Sequence, residues 1–454
     1  MDKISIWGII LLSLLILQIG FLFNIKPLNL IIKIVISILL IVINYIIYTT
    51  LKKFFSEQKI KKEKEAKDKL KEEEENKKKE EYERILKERK KHIEELKQEG
   101  LNKINIQEKI NVTNMATSIN NYQEDKIMVT FYGGKLIIYT LDIVRYKFIE
   151  LLYIKEFQMN TYNAFEMKGN KNKICICGYP GVKIIETTIN NLLGKENNTY
   201  KVIQYFDCKE YNKEIVKVIE LTNDTLISIS TDYLLLWNKN PDKNDQYEIN
   251  KDKIINYTKY ENLLIISNVL KIDEDNIAIL KQSNSNFTKS SVTFLKINDA
   301  KSKESIEEIK IIDLKIAPLD TNTNNLCLID ENLKAFCVGC INGMAILSGK
   351  NMELIQFYEF ENTINNIDVY FDKNIILFSN FEKKDNNSES LEENSYNFIE
   401  LVKKNGNKDN NDYEKKNLIK KSSNKLEEDI NIMKCFKDGL IIIGDKKGNL
   451  QIWH

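Results

Sequence analysis

The chain has 454 residues, with 67 basic against 66 acidic side chains and a formal charge of +1. A balance this close to neutral argues against a nucleic-acid surface spread over the whole chain, which would show as a clustered basic excess. With His92 and His454 as its 2 histidines, the chain has almost nothing from which to build a histidine triad, a multi-histidine metal site or a His-based acid/base centre. Gly 16 and Pro 4 are low counts for this length, so turns must rely on Asn and Asp.

The chain is segmented. Ile4 to Phe23 (ISIWGIILLSLLILQIGFLF) carries no charge over a length that lets a helix cross a bilayer core. Leu30 to Leu51 is a second apolar run, interrupted once by Lys33. Asn24, Pro27 and Asn29 supply a breaker and turn formers between them, so residues 1–51 read as a transmembrane hairpin with helices at about 4–23 and 30–51. Two alternatives stay open: a cleaved signal peptide followed by one span, and one span with the other run lying on the membrane. The first run is longer than a signal core and no small-x-small site follows it, which favours the hairpin. Lys52, Lys53, Lys59, Lys61, Lys62 and Lys64 follow the second run against Glu57 and Glu63, so the positive-inside rule places the remainder in the cytosol. The same lysines could contact anionic lipid headgroups.

Residues 52–100 are dominated by Lys and Glu three or four positions apart, a pattern that supports a solvated helix without an apolar partner. At 1.5 Å per residue this stalk would be roughly 70 Å long. Tyr82, Ile85, Leu86, Ile93 and Leu96 make a short apolar stripe at helical spacing. The stripe is too short for an established coiled coil, and it reads as a stalk that docks on the next domain, with weak self-association as the competing reading. Gly100 is a plausible stop.

From Leu101 onward the pattern changes to short apolar runs bounded by Asn, Asp and Gly, which reads as β-structure. One unit recurs seven times: a turn with Asp or Asn, an apolar strand, a polar turn and a second apolar strand. Asp125, Asn172, Asp224, Asp275, Asp330, Asp372 and Asp438 mark the opening turns, spaced 42 to 66 residues apart. Trp237 and Trp453 each close the second strand of a unit, in LLLWN and LQIWH.

On these units and tryptophans, residues 101–454 resemble a degenerate seven-bladed WD-repeat β-propeller. The sequence departs from that family's pattern. It has no Gly-His dipeptide, and Asn238 and His454 stand where Asp would follow the tryptophans, so the Asp/His/Ser/Trp network of such blades is not available as a set. The fold class expected is all-β, a seven-bladed propeller preceded by a membrane hairpin and a charged α-helical stalk. The last unit stops after a third-strand sequence, so Asn102 to Val112 is expected to close the ring. Residues 383–395 and 403–425 are expected as low-complexity loops too polar to pack.

Chemical motifs are sparse. Cys337 and Cys340 have metal or redox spacing, and Cys175 and Cys177 lie two apart, but no histidine is near in sequence; these, with Cys208, Cys327 and Cys435, read as buried free thiols in a reducing compartment. Gly444 to Asn449 superficially suggests a phosphate loop, yet lacks the Gly-Lys-Ser/Thr ending, so a strand turn is expected. The sequons at Asn111, Asn197, Asn223, Asn256, Asn286 and Asn386 are expected to stay unmodified in the cytosol.

No catalytic, cofactor or metal site is expected, and no nucleic-acid partner. The layout is similar to transducin-beta-like membrane-anchored propellers, which implies a non-enzymatic scaffold presenting a cytosolic propeller to other proteins, at the endoplasmic reticulum or another endomembrane. The alternative is a guanine-nucleotide exchange factor for a small coat-assembly GTPase. That family has its span after the propeller and a Gly-rich loop in the first blade, of which Gly133-Gly134 is all that appears.

Overall fold

The long apolar and Lys/Glu-rich runs fold here as helices, whereas runs of five to eleven residues bounded by turn formers pair as strands. The computed structural model describes the chain outside residues 1–2, 25–29, 100–105, 124–125, 143–145, 158, 190–197, 212–213, 223, 241, 243–245, 257–263, 284–289, 298–305, 317–324, 332–333, 361–362, 371–373, 380–395, 404–412, 422–429 and 437–438. Contacts divide it into two units, Met1–Lys90 and Lys91–His454.

The first unit contains α1 (Lys3–Asn24) and most of α2 (Leu30–Glu99). The two pack on each other: Asn44 Nδ2 reaches Gln18 Oε1 at 3.5 Å and Lys33 Nζ donates to the Phe23 carbonyl at 3.0 Å. Large apolar side chains face outward, with Leu17 69%, Phe21 74% and Ile31 69% exposed. The apolar part of α2 has a mean hydropathy of 2.8, long and apolar enough to cross a membrane; α1 is the shorter apolar helix. The expected division at residue 51 is no break in structure, because α2 is one helix of 70 residues. Its charged part carries i,i+4 pairs such as Lys53–Glu57 and Arg84–Glu88, both 4.0 Å apart. Such exposed pairs contribute little individually, and their number is what supports an unpartnered helix. Gly100, the expected stop, lies outside the described residues.

The second unit is built of strands. β1 (Ile106–Asn111) precedes a first meander, β2 (Ala116–Tyr122), β3 (Lys126–Phe131), β4 (Lys135–Asp142) and β5 (Lys147–Lys155). The second is β6 (Thr161–Glu166), β7 (Lys173–Gly178), β8 (Gly181–Thr188) and β9 (Thr199–Asp207). The third is β10 (Ile215–Thr222), β11 (Thr225–Ser230), β12 (Tyr233–Asn240) and β13 (Gln246–Asn256), and the fourth β14 (Leu264–Lys271), β15 (Asn276–Ser283), β16 (Ser290–Ile297) and β17 (Ile306–Asp313). The fifth is β18 (Leu326–Asp330), β19 (Ala335–Cys340), β20 (Gly343–Ser348) and β21 (Glu353–Glu359), and the sixth β22 (Ile364–Tyr370), β23 (Asn374–Ser379), β24 (Tyr396–Lys403) and β25 (Tyr413–Lys421). β26 (Ile430–Cys435), β27 (Ile441–Asp445) and β28 (Asn449–Trp453) end the chain.

Each meander is a four-stranded antiparallel sheet, and the last three strands take β1 as their fourth, in the order β1-β28-β27-β26. The expected ring-closing strand is therefore present, pairing Ile110 with Leu450 and Asn111 with Asn449. The first strands of successive sheets touch around the whole circuit, β2 to β6 and onward through β10, β14, β18, β22 and β26 back to β2. Apolar side chains of neighbouring sheets meet between them. Ile119, Val129 and Ile137 of the first sheet join Ile432, Ile442 and Leu450 of the last in one cluster, so the core is a series of inter-sheet layers rather than one central mass.

One expectation is corrected. The polar stretch 403–425 is not all loop, because β25 occupies Tyr413–Lys421 and pairs with β24. An outermost strand needs only backbone partners on one side and can stay solvated, so a sequence as polar as YEKKNLIKK forms it. Residues 383–395 lie outside the described residues.

Trp237 links strands inside the third sheet: its indole Nε1 donates to Ser228 Oγ at 2.7 Å, and its ring lies 4.7 Å from that of Phe206 in the second. Trp237→Phe leaves the Ser228 hydroxyl buried without that partner, and is expected to destabilise by about 2 kcal/mol. Thermal unfolding of the full-length protein in detergent, followed by circular dichroism, measures this; Ser228→Ala in the Trp237→Phe background should then cost almost nothing further.

Candidate functional site

The inner face of the ring is where chemistry collects. β2, β6, β10, β14, β18 and β26 enclose a cavity of about 500 Å³ at its centre. Its wall is unusually charged for a protein interior: Lys168, Lys217, Lys271 and Lys434 line it together with Glu166 and Glu220. Apart from Lys168, in the turn after β6, these residues come from strands that alternate apolar and polar side chains, as in IVKVIELT of β10, so one set packs between sheets while the other faces the channel or the next sheet.

Many of the channel-side polar groups cross to the neighbouring sheet. Asn431 Nδ2 donates to the Ala116 carbonyl at 2.5 Å, Thr117 Oγ1 to the Thr161 carbonyl at 2.5 Å and Asn120 Nδ2 to the Ala164 carbonyl at 2.8 Å. Lys168 N–H donates to Glu220 Oε2 at 2.6 Å, Lys217 Nζ to Asn268 Oδ1 at 2.6 Å and Asn268 Nδ2 to Asn325 Oδ1 at 3.3 Å. Asp368 completes the circuit. It accepts from Cys327 Sγ at 3.6 Å on one side, and from Lys434 Nζ and the Cys435 N–H on the other, at 3.0 and 2.6 Å.

Two lysines of this wall are in opposite electrostatic situations. Burial alone would lower the Lys434 pKa, but Asp368 beside it more than compensates and holds it above the ordinary lysine value. Lys217 has no such partner, and burial pulls it down to about 8. Lys217 is half-buried and lines the channel. Burial likewise raises Glu220, whose Oε1 has no hydrogen-bond partner among the described residues.

Burial pushes the Cys177 and Cys327 thiols up to about 12. All seven cysteines are free; Cys175, Cys177, Cys208, Cys337, Cys340 and Cys435 are buried and Cys327 is half-buried, so they serve as packing groups.

The residues singled out from the sequence do not converge on this channel. Trp237 and Trp453 are both buried, and Trp453 Nε1 donates to Gln451 Oε1 at 3.0 Å. Asp224 is an exposed turn residue 3.5 Å from Lys239 Nζ. Asp275 is exposed, and the organising acid of its turn is Asp273 instead, whose Oδ1 accepts from the Asp275 and Asn276 N–H groups at 3.0 and 2.8 Å. Asp330 is a correction: it is the buried last residue of β18, and the turn follows it, because the inner strand of that sheet runs one residue further than the apolar pattern suggests. Asp125, Asp372 and Asp438 lie outside the described residues. Lys52, Lys53, Lys59, Lys61, Lys62 and Lys64 are exposed on α2. Gly444 to Asn449 is a strand turn between β27 and β28, closed by Asp445 accepting from the Asn449 N–H at 2.8 Å.

The residues missed are Lys217, Asn268 and Asp368. The available signal was a charged or amide residue inside a short alternating run, in IVKVIELT, LIISNVLK and INNIDVY.

No family model matches the sequence, and no curated protein matches it. Among solved structures the chain is similar to the WD40 β-propeller domain of Doa1, at 11% identity with a TM-score of 0.48, over 78% of this chain and 98% of that one. The sheet order itself defines the class: a β-propeller of four-stranded antiparallel blades.

A base whose pKa is lower folded than unfolded binds fewer protons in the native state between those two values. For Lys217 that window runs from about 8 upward to the unfolded lysine value of about 10.4, so its contribution raises stability with pH across it. Lys217→Met removes this contribution together with a poorly compensated charge, and the variant should be at least as stable as the wild type at pH 7. Unfolding midpoints at pH 7 and pH 10 check this: the variant's advantage should shrink at the higher pH, and a constant difference would contradict the assignment.

Proposed function

We propose that the protein is a membrane-anchored, non-enzymatic scaffold whose propeller presents its faces to other proteins in the cytosol. The observation that carries this reading is the outward-facing apolar surface of α1 and the first part of α2, with Phe21 74% and Leu17 69% exposed. Surface of this kind is not left in water by a folded protein and matches a lipid environment. In this reading residues 1–51 are the anchor, 52–100 the stalk and 101–454 a propeller of seven blades. The lysines from Lys52 to Lys64 support cytosolic placement through the positive-inside rule, and the endoplasmic reticulum is the membrane proposed. Interaction platforms are the common use of propellers of this type, an analogy at the level of fold.

Carbonate extraction of cell membranes should leave the full chain in the pellet, and removal of residues 1–51 should release it. An endoglycosidase-sensitive mobility shift would place the sequons in a lumen and overturn the orientation. Proximity labelling from the C-terminus should return cytosolic proteins. If the full-length protein in detergent accelerates nucleotide release from a purified coat GTPase, the exchange-factor alternative replaces the scaffold.

A further inference from the structure

The charges of the central channel are unevenly matched. Lys434 is paired with Asp368, 3.0 Å away, and Lys168 and Lys271 both act on Glu220. Lys217 is left with one neutral acceptor, Asn268 Oδ1 at 2.6 Å. Among the described residues no carboxylate lies within 4.0 Å of its ammonium. The other groups whose charge would act on it are the Cys177 and Cys327 thiols, which are neutral at physiological pH, and Lys434, which repels it.

An enclosed ammonium with three N–H donors and one acceptor keeps two donors for something else. Lys217 and Lys434 belong to sheets three places apart in the circuit and reach the same cavity from opposing parts of its wall. Ser118, Asn163 and Ser267 line that cavity as well and add hydroxyl and amide groups. Its volume of about 500 Å³ falls in the range typical of small-molecule sites, about 300–1,000 Å³.

We propose that the channel is a binding site for a small oxyanion, a phosphate or a carboxylate, held between the ammonium groups of Lys217 and Lys434. The anion supplies the negative charge that the wall lacks at Lys217, and it binds in a partly desolvated place where charge-assisted hydrogen bonds are strong. The site is independent of the scaffold reading, because its ligand enters the ring instead of resting on an outer face.

The test uses the full-length protein in detergent at pH 7.4, with inorganic phosphate and succinate as probes and sodium chloride at matched ionic strength as reference. Phosphate or succinate should raise the unfolding midpoint by about 3 °C or more over chloride. Lys217→Met should abolish that response and the exposed Lys201→Met should keep it. Acetic anhydride labelling read by mass spectrometry gives an arm without mutation: the bound anion should slow acetylation of Lys217 by about fivefold or more and leave Lys201 unchanged, as expected for a nearly saturated site.

A response to phosphate alone assigns the site to phosphate, to succinate alone to carboxylates, and to both to oxyanions in general. Equal midpoints in all three salts, a response that survives Lys217→Met, or unchanged Lys217 acetylation overturns the proposal.

Discussion

The propeller depends on a backbone ladder between strands from opposite ends of its sequence. β1 and β28 exchange hydrogen bonds from Ile106 and Trp453 to Asn111 and Asn449, and the Val112 N–H extends the contact to the Gly448 carbonyl at 2.8 Å. Closing a loop of that length costs about 5 kcal/mol in chain entropy, which the remaining contacts must offset. In return the last sheet is completed to four strands, and the edge of β28 is covered by β1. Side chains reinforce the closure. Gln107 Nε2 donates to the His454 carbonyl at 2.9 Å, and the imidazole of His454 lies against Tyr146 and His92, with Tyr146 Oη 2.8 Å from Nδ1. The two histidines that the composition marks as too few for catalysis thus meet at this seam.

Closure explains why the inner strands are polar. The inner strand of each sheet has an edge toward the channel whose backbone groups receive no ladder partner from its own sheet, and a wholly apolar wall would leave them unsatisfied. Short Asn and Thr side chains reach across to the next sheet's carbonyls at Ala116, Thr161 and Ala164. They satisfy those groups and tie neighbouring sheets together. The polarity that makes ATSINNY or INNIDVY poor candidates for buried strands is what suits them to this position.

The same logic sets what could be read from the sequence. Middle hairpins such as β11–β12 or β19–β20 are packed on both faces, and AFCVGC and GMAILS are buried at every position. Such runs stand out as apolar, and the recurrence of seven hairpins pointed to a propeller. The outermost strands are half solvated: IEEIKIID in β17 is mostly exposed and carries no core signature. Turn chemistry is legible in kind but not in position, since Asp273, not Asp275, organises the turn before β15. Nothing local distinguishes Lys217 as a channel residue from a lysine at a solvated strand edge; the distinction arises only when inner strands of other sheets surround it.

Asp368 and Lys217 show how far apart two charges in one channel can be in their physical roles. Asp368 accepts from Cys327 Sγ, Lys434 Nζ and the Cys435 and Val369 N–H groups, so one carboxylate joins three consecutive sheets. A carboxylate with that many donors is compensated, and its removal would leave the half-buried Lys434 without a counter-charge. Lys217 makes one bond, to a neutral amide of the next sheet. Its charge bears a desolvation cost with no carboxylate beside it, and the open volume it lines gives that charge somewhere to act.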